Sequence, residues 1–203
     1  MTDAPTPLPL TVIGSTRTRA MRVLWLLEEL GLPYAHIPAR PHSDEARGAN
    51  ASGKVPVLLV GDVALTDSTA ILTFLADCAE RFTCPPGTIA RTRQDGFTQA
   101  ILDEIDALLW TATRHSFVLP EEMRLPAIKD SLKWEFSRNQ ARLAARLGKA
   151  EFLMGDEMTV PDIVLTHCLA WAQAANFPDT EANLTAYRER LRTRPAYQRA
   201  AAM

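Results

Sequence analysis

Short apolar runs and amphipathic stretches alternate at the beginning of this chain of 203 residues. The β-branched run LPLTVIG (8–14) predicts a strand, and RAMRVLWLLEELG (19–31) repeats apolar residues at helical spacing before a terminal glycine. The next two stretches, YAHIPA and SDEARGAN, predict a second strand and a short helix. Because the first two strands are joined through a helix, we expect them to pair in parallel.

A hairpin pattern follows this first unit. Two valine-rich runs, 57–60 and 63–65, flank Gly61 and Asp62, a two-residue connection suited to a tight turn. The stretch DSTAILTFLADCAERF then predicts a helix that begins with an acid and a serine. The predicted fold of this part is therefore α/β, with a mixed four-stranded sheet that is antiparallel at the hairpin and covered by helices.

The chain beyond the linker TCPPGT (83–88) is predicted to be helical throughout, as an all-α C-terminal domain. Apolar residues recur at helical spacing along two predicted helices, namely Phe97, Ile101, Ile105, Leu108 and Ala112, and then Ile128, Leu132, Phe136, Leu143 and Leu147. Thr159 and Asp162 have the spacing of a capping box at the start of a further helix. The predicted domains are 1–82 and 89–203, on either side of this linker.

Composition excludes several classes of function. The formal net charge of −2 gives no basic excess to neutralise phosphates, so no nucleic-acid partner is expected. No apolar stretch approaches the roughly 18 to 20 residues of a membrane span, and MTDAPTPLPL lacks the pattern of a secretory signal. The chain has three cysteines, Cys78, Cys84 and Cys168, and none of them forms a CxxC pair. An odd number without this spacing argues against a disulfide framework and against a metal site. We therefore expect a cytoplasmic protein without a metal.

Two pairs of residues in SGKVPVLLVGDVALTDS (52–68) have the properties of a ligand site. Pro56 cannot donate to a sheet, and a cis Val55–Pro56 bond would turn the N–H and C=O of Val55 outward, where an extended ligand pairs like an added strand. At the other end, Asp67 and Ser68 begin a helix, where a ligand carboxylate is favoured and Asp67 can accept from an ammonium. The alternative is that these two residues only cap their own helix.

These residues also carry a family resemblance. The first part of the chain resembles the thioredoxin-like N-terminal domain of the cytosolic glutathione S-transferases, in particular bacterial members of serine type. The stretches that carry this resemblance are RAMRVLWLLEELGLPY and, after it, GKVPVLLVGDVALTDSTAILTFLAD. FLMGDEMTVPDIVLTHCLAWA resembles a stretch of the helical domain of the same family, with Pro161 in place of the usual alanine. The resemblance covers about residues 9 to 200 in the right order.

The resemblance implies that glutathione is the co-substrate and that its thiolate is conjugated to small, largely apolar electrophiles. Val55 would pair with the cysteinyl part through its backbone, with Pro56 cis, while Asp67 and Ser68 hold the γ-glutamyl end. The resemblance also implies a homodimer.

Two further residues are candidates for contacts with glutathione. Lys54 is positioned to meet a carboxylate of the tripeptide, and His42 is a candidate for a place near its glycine end. Without the resemblance, each is interpreted as an exposed loop residue.

The first strand-to-helix turn, GSTRTRAM, supplies groups that lower the pKa of a bound thiol. A thiol with a pKa near 8.5 is mostly protonated at neutral pH, and the thiolate is the nucleophile. The turn offers three hydroxyl groups and two positive charges, from Ser15, Thr16, Thr18, Arg17 and Arg19. Ser15 resembles the catalytic serine of the serine-type classes, Thr18 is the second candidate and Arg19 the third, although at least one of the hydroxyls is expected to cap the helix.

An electrophile pocket is predicted between the domains. Trp110, His115 and Phe117 are candidates for its apolar wall, and the alternative is that they belong to a core. The remaining aromatic candidates are assigned to packing, namely Trp25, Trp134, His167 and Trp171.

Three other functions compete with conjugation. An activated glutathione thiol also serves peroxide reduction or isomerisation. The chain is alternatively a binding protein that keeps the fold without catalysis, because fold alone does not settle function. A thioredoxin-like redox protein is disfavoured because CxxC is absent.

Overall fold

A computed structural model of the chain describes residues 8–203. The segment 1–7, on which the expectation about a secretory signal partly rests, lies outside the described residues. Residues 8–79 together with Pro195–Met203 form one compact unit, and Glu80–Arg194 form the other. Among the helices of residues 8–203, none is long and apolar enough to cross a membrane.

The strands and helices follow the predicted order. In chain order they are β1 (Leu10–Ile13), α1 (Ala20–Leu30), β2 (Ala35–Ile37), α2 (Asp44–Ala49), β3 (Val57–Val60), β4 (Val63–Thr66), α3 (Ser68–Ala79), α4 (Ile89–Ile101), α5 (Ala107–Thr113), α6 (Ile128–Leu147), α7 (Val160–Ala174), α8 (Ala182–Arg192) and α9 (Pro195–Ala201). Short π-helical turns follow α4 and α5, and a 3₁₀ turn precedes α6.

The described residues of the first unit form a four-stranded sheet in the order β2-β1-β3-β4. β1 runs parallel to β2 and antiparallel to β3, which pairs with β4 through the predicted hairpin. The mixed sheet and the all-helical second region predicted from the sequence are therefore confirmed. β1 lies inside the sheet, so its C-terminal end is flanked by chain on both sides.

The C-terminal helix α9 packs on α1 within the first unit. Trp25 of α1 is fully buried, and its ring meets that of Tyr197 edge to face with centroids 5.0 Å apart. The Nε of Arg199 donates to Oε2 of Glu28 at 2.6 Å. The sequence prediction placed 195–203 in the helical domain, whereas the structure groups them with the first unit, because α9 covers the apolar surface around Trp25.

The helices of the second unit bury the faces that the apolar spacing predicted. Ile101, Ile105 and Leu108 lie in the core, and α6 ends at Leu147 before Gly148 as expected. α7 begins with the predicted capping box of Thr159 and Asp162. Asp162 is buried, and its carboxylate accepts from the N–H groups of Leu153 and Thr159 and from the Tyr187 hydroxyl.

We expect Tyr197→Ala to lower the free energy of unfolding by about 2 kcal/mol, because it removes the ring that covers Trp25 and leaves a cavity against α1. Urea unfolding followed by far-ultraviolet circular dichroism measures this change. Gln198→Ala, exposed on the same helix, is the matched control and should change the free energy by less than about 0.5 kcal/mol. Equal urea midpoints for the two variants would show that α9 does not stabilise the first unit through Tyr197.

Candidate functional site

The first turn and the start of β3 meet at Gly14. Gly14 has a φ of +145°, and a Cβ built on it would lie 2.7 Å from the Cβ of Ala20 and 3.2 Å from the Cβ of Val55. The same Cβ would lie 3.6 Å from the Cα of Pro56. A side chain at this position does not fit, so only glycine lets the end of β1 pack this closely against Val55 and Pro56.

The backbone of Val55 lies beside a cis proline. The Val55–Pro56 peptide bond is cis, as the resemblance implies, and Pro56 is buried while Val55 is half-buried. Among the described residues, neither the N–H nor the C=O of Val55 has a hydrogen-bond partner. Buried backbone groups usually have a hydrogen-bond partner in the protein or in ordered water, so both groups of the half-buried Val55 can still take one.

Asp67 caps α3 with only one of its two carboxylate oxygens. Its Oδ1 accepts from the N–H of Thr69 at 2.8 Å and from the N–H of Ala70 at 3.0 Å. The alternative interpretation, that Asp67 caps its own helix, therefore holds for Oδ1. Its other oxygen, Oδ2, has no hydrogen-bond partner within residues 8–203. Because two donors of this helix start are already satisfied, a ligand carboxylate here would depend on Ser68.

A buried arginine that the sequence analysis missed lies behind Ser68. Arg22 of α1 is fully buried, and its Nη1 donates to the Oγ of Ser68 at 3.3 Å. Since this oxygen accepts from Arg22, the hydroxyl hydrogen of Ser68 remains for another acceptor. The sequence does carry a signal for Arg22, because it is the one charged residue in the stretch Ala20–Leu27. The other residues of this stretch are apolar and buried.

The hydroxyl groups of the first turn have different partners. Thr18 Oγ1 donates to the carbonyl oxygen of Ser15 at 2.7 Å and accepts from the N–H of Ala20 at 3.2 Å. Ser15 Oγ accepts from the N–H of Arg17 at 3.2 Å, and no acceptor takes its hydrogen among the described residues. Thr18 therefore stabilises the turn, while the Ser15 hydroxyl keeps a hydrogen to donate. Arg19 is the N-cap residue of α1.

The structure brings His42 and Lys54 to one exposed loop region. The N–H of His42 donates to the carbonyl of Gly53 at 2.7 Å, next to Lys54 in the chain. The backbone of Lys54 is held in turn, because its carbonyl accepts from Nδ2 of Asn50 at 3.0 Å. Both side chains are exposed.

The three candidates for the electrophile pocket have different surroundings in the second unit. Trp110 is half-buried on α5, and Phe117 is 69% exposed. Nδ1 of His115 accepts from the N–H of Leu125 at 3.0 Å, so this ring holds the segment that follows α5. The assignment of Trp134 to packing is wrong, because its side chain is 62% exposed beside Arg138; the helical spacing fixed its face but not what covers that face.

In the described part of the chain, no group of three or more His, Cys, Asp or Glu side chains is arranged to hold a metal ion.

Two family descriptions match the chain. "Glutathione S-transferase, N-terminal domain" matches residues 18–78, and "Glutathione S-transferase, C-terminal domain" matches residues 110–195. Together the two matches cover more than half of the chain, and it belongs to the glutathione S-transferase family. No curated protein sequence gives a significant match.

Solved structures of the same fold align over nearly the whole chain. A glutathione transferase from Methylococcus capsulatus strain Bath is 25% identical with a TM-score of 0.82, covering 95% of this chain and 97% of that chain. A theta class glutathione S-transferase from Xanthomonas axonopodis pv. citri, with glutathione bound, is 25% identical with a TM-score of 0.77, covering 98% and 99% respectively. A glutathione S-transferase from Xylella fastidiosa has a TM-score of 0.83, with 95% of this chain and 97% of that chain covered. Because it is 22% identical, it supports the fold alone.

We expect Ser68→Ala to weaken glutathione binding about tenfold, because it removes a hydroxyl donor from the start of α3 and leaves Arg22 without that acceptor. Isothermal titration calorimetry measures the affinity. Thr73→Ala, which removes a hydroxyl from a different face of the same helix, is the matched control. If the two variants bind glutathione equally well, Ser68 is not part of the binding site.

Proposed function

We propose that this chain is a glutathione transferase that conjugates the glutathione thiolate to small, largely apolar electrophiles. The observation that carries the proposal is the close packing of Gly14, the residue before Ser15, against Val55, whose backbone N–H and C=O have no hydrogen-bond partner among the described residues. Family membership supports glutathione as the co-substrate. We assign the physiological role to detoxification in the cytoplasm, without a metal.

In the proposed complex, the tripeptide lies extended beside β3. Its cysteinyl N–H and C=O pair with the free C=O and N–H of Val55, in the manner of an added strand. At the γ-glutamyl end, Asp67 Oδ2 accepts from the ammonium group, and Ser68 donates its hydroxyl hydrogen to the carboxylate. Each of these groups is unpaired or has a hydrogen left in the described structure, which supports this assignment.

The glycine end of the tripeptide is assigned to the exposed loop region. Lys54 supplies a positive charge for the terminal carboxylate, with His42 beside it. Because both side chains are exposed, their contribution to affinity should be modest and should fall as salt is added.

Ser15 is the proposed activator of the thiol. Its hydroxyl donates to the sulfur, and a hydrogen bond to a charged group contributes about 1.5 to 3 kcal/mol. Since 1.36 kcal/mol corresponds to one pKa unit, one such bond lowers the thiol pKa by about one to two units. The proton leaves to solvent, and the thiolate forms a carbon–sulfur bond with the electrophile, whose leaving group departs with its electron pair.

The competing activators are less well placed than Ser15. The Thr18 hydroxyl already donates to the Ser15 carbonyl, so it would have to break a bond of the turn to reach a ligand. Arg19 stays as the third candidate because its charge lies at the start of α1. For the electrophile we keep Trp110, His115 and Phe117 as the proposed apolar wall.

Peroxide reduction and isomerisation use the same activated thiol, so they are the second candidate function. Parallel assays with an aryl halide, an organic peroxide and dehydroascorbate separate these activities. A chain that binds glutathione but turns over none of the three would be a binding protein that keeps the fold.

We expect Ser15→Ala to reduce turnover with an aryl halide by about tenfold or more, because it removes the hydrogen bond that stabilises the thiolate. Affinity for glutathione should change little, since the tripeptide keeps its other contacts. Steady-state kinetics and calorimetry measure the two quantities. Thr16→Ala removes a neighbouring hydroxyl and is the matched control.

The same assay decides between the candidate activators. If Ser15→Ala keeps full turnover while Thr18→Ala or Arg19→Ala loses it, the assignment to Ser15 is wrong.

We also propose a homodimer related by a twofold axis, as family membership implies. Sedimentation equilibrium should give the mass of two chains at micromolar concentration. A mass of one chain that persists up to about 100 μM would contradict the proposal, since obligate dimers are tighter than this.

A further inference from the structure

Both polar backbone groups of Gly14 are held by β2. Its N–H donates to the carbonyl of Ile37 at 2.9 Å, and its carbonyl oxygen lies 2.8 Å from Nε2 of His36. A carbonyl oxygen only accepts, so the half-buried His36 ring donates from Nε2. The same hydrogen prevents Nε2 from acting as a base at this site.

The position of this carbonyl fixes the direction of the next N–H. A trans peptide bond is planar, with its C=O and N–H on opposite sides of the chain. Because the Gly14 carbonyl faces β2, the N–H of Ser15 faces the other side of β1. In the sheet order that side belongs to β3, where Val55 approaches Gly14. Among residues 8–203, no acceptor takes the hydrogen of this N–H.

Glycine makes this restraint necessary. At a φ of +145°, Gly14 has no side chain that limits rotation of the peptide plane that follows it. Without the His36 hydrogen bond, the Gly14–Ser15 peptide would sample several orientations, and its N–H would point toward β3 for only part of the time. A preorganised donor stabilises a developing charge better than a mobile one.

We propose that His36 is a positioning residue, which holds the Gly14–Ser15 peptide so that the N–H of Ser15 donates to the glutathione thiolate together with the Ser15 hydroxyl. This inference rests on the proposed function. It assigns two donors to the sulfur from a single residue, one from the side chain and one from the backbone.

Nuclear magnetic resonance tests the backbone donor without any turnover. In wild-type protein labelled with ¹⁵N, the Ser15 amide proton should move downfield when glutathione is added at neutral pH. S-methylglutathione cannot form a thiolate, so it should leave this proton close to its position in the free protein. An unchanged Ser15 amide in the presence of saturating glutathione would overturn the proposal.

Variants of His36 test the positioning role. His36→Ala should raise the apparent thiol pKa of bound glutathione by about one unit, as read from thiolate absorbance against pH. At neutral pH, kcat should fall about three- to tenfold, whereas KM for glutathione should change less than about twofold. His36→Gln keeps an N–H donor of similar reach and should restore both the pKa and kcat. Thermal unfolding of both variants shows whether stability has changed.

The outcomes separate this inference from the proposed function. A wild-type thiol pKa close to that of free glutathione would overturn both. A lowered wild-type pKa that rises in Ser15→Ala but not in His36→Ala would leave the proposed function standing and overturn the role of His36. An equal loss in His36→Ala and His36→Gln, accompanied by lower thermal stability, would show that the ring is needed only for the fold.

Discussion

The close packing of Gly14 against Ala20 and Val55 is the constraint on which the candidate site depends. β1 ends where the chain must turn into α1, and at the same point the chain that leads into β3 crosses beside it. Only a residue without a side chain allows both approaches, because an added Cβ would lie 2.7 Å from the Cβ of Ala20. The candidate site therefore depends on a close approach of backbone at Gly14, which a side chain at this position would prevent.

A second constraint comes from the buried guanidinium of Arg22. A charged group removed from water is costly unless polar partners replace the water, so the fold must keep oxygen atoms near it. One of them is the hydroxyl of Ser68, which ties the start of α3 to α1. Because Ser68 accepts from Arg22, its own hydroxyl hydrogen remains available to another acceptor. If Ser68 binds glutathione as proposed, one side chain serves both the buried charge and the site.

The sequence predicted those features whose signals are local. The hairpin at Gly61 and Asp62 follows from turn chemistry, and the capping box at Asp162 from a spacing of three residues. The partner of Arg22 lies 46 residues away, and no spacing rule connects the two. The exposure of the Trp134 side chain could not be predicted either, because helical periodicity says which residues share a face but not which element covers that face. The turn around Ser15 could be located from the sequence, whereas the partner of each hydroxyl depends on the three-dimensional path of the turn.

The difference between Ser15 and Thr18 illustrates this last limit. A hydroxyl group has one hydrogen to donate, and Thr18 gives it to the carbonyl of Ser15. In doing so Thr18 fixes one side of the Ser15 backbone, while His36 fixes the carbonyl of Gly14 on the other. These polar neighbours of Ser15 thus hold its backbone, and within residues 8–203 no acceptor takes either of its hydrogens. If Ser15 activates the thiol as proposed, a residue restrained in this way needs little reorganisation when the thiolate forms.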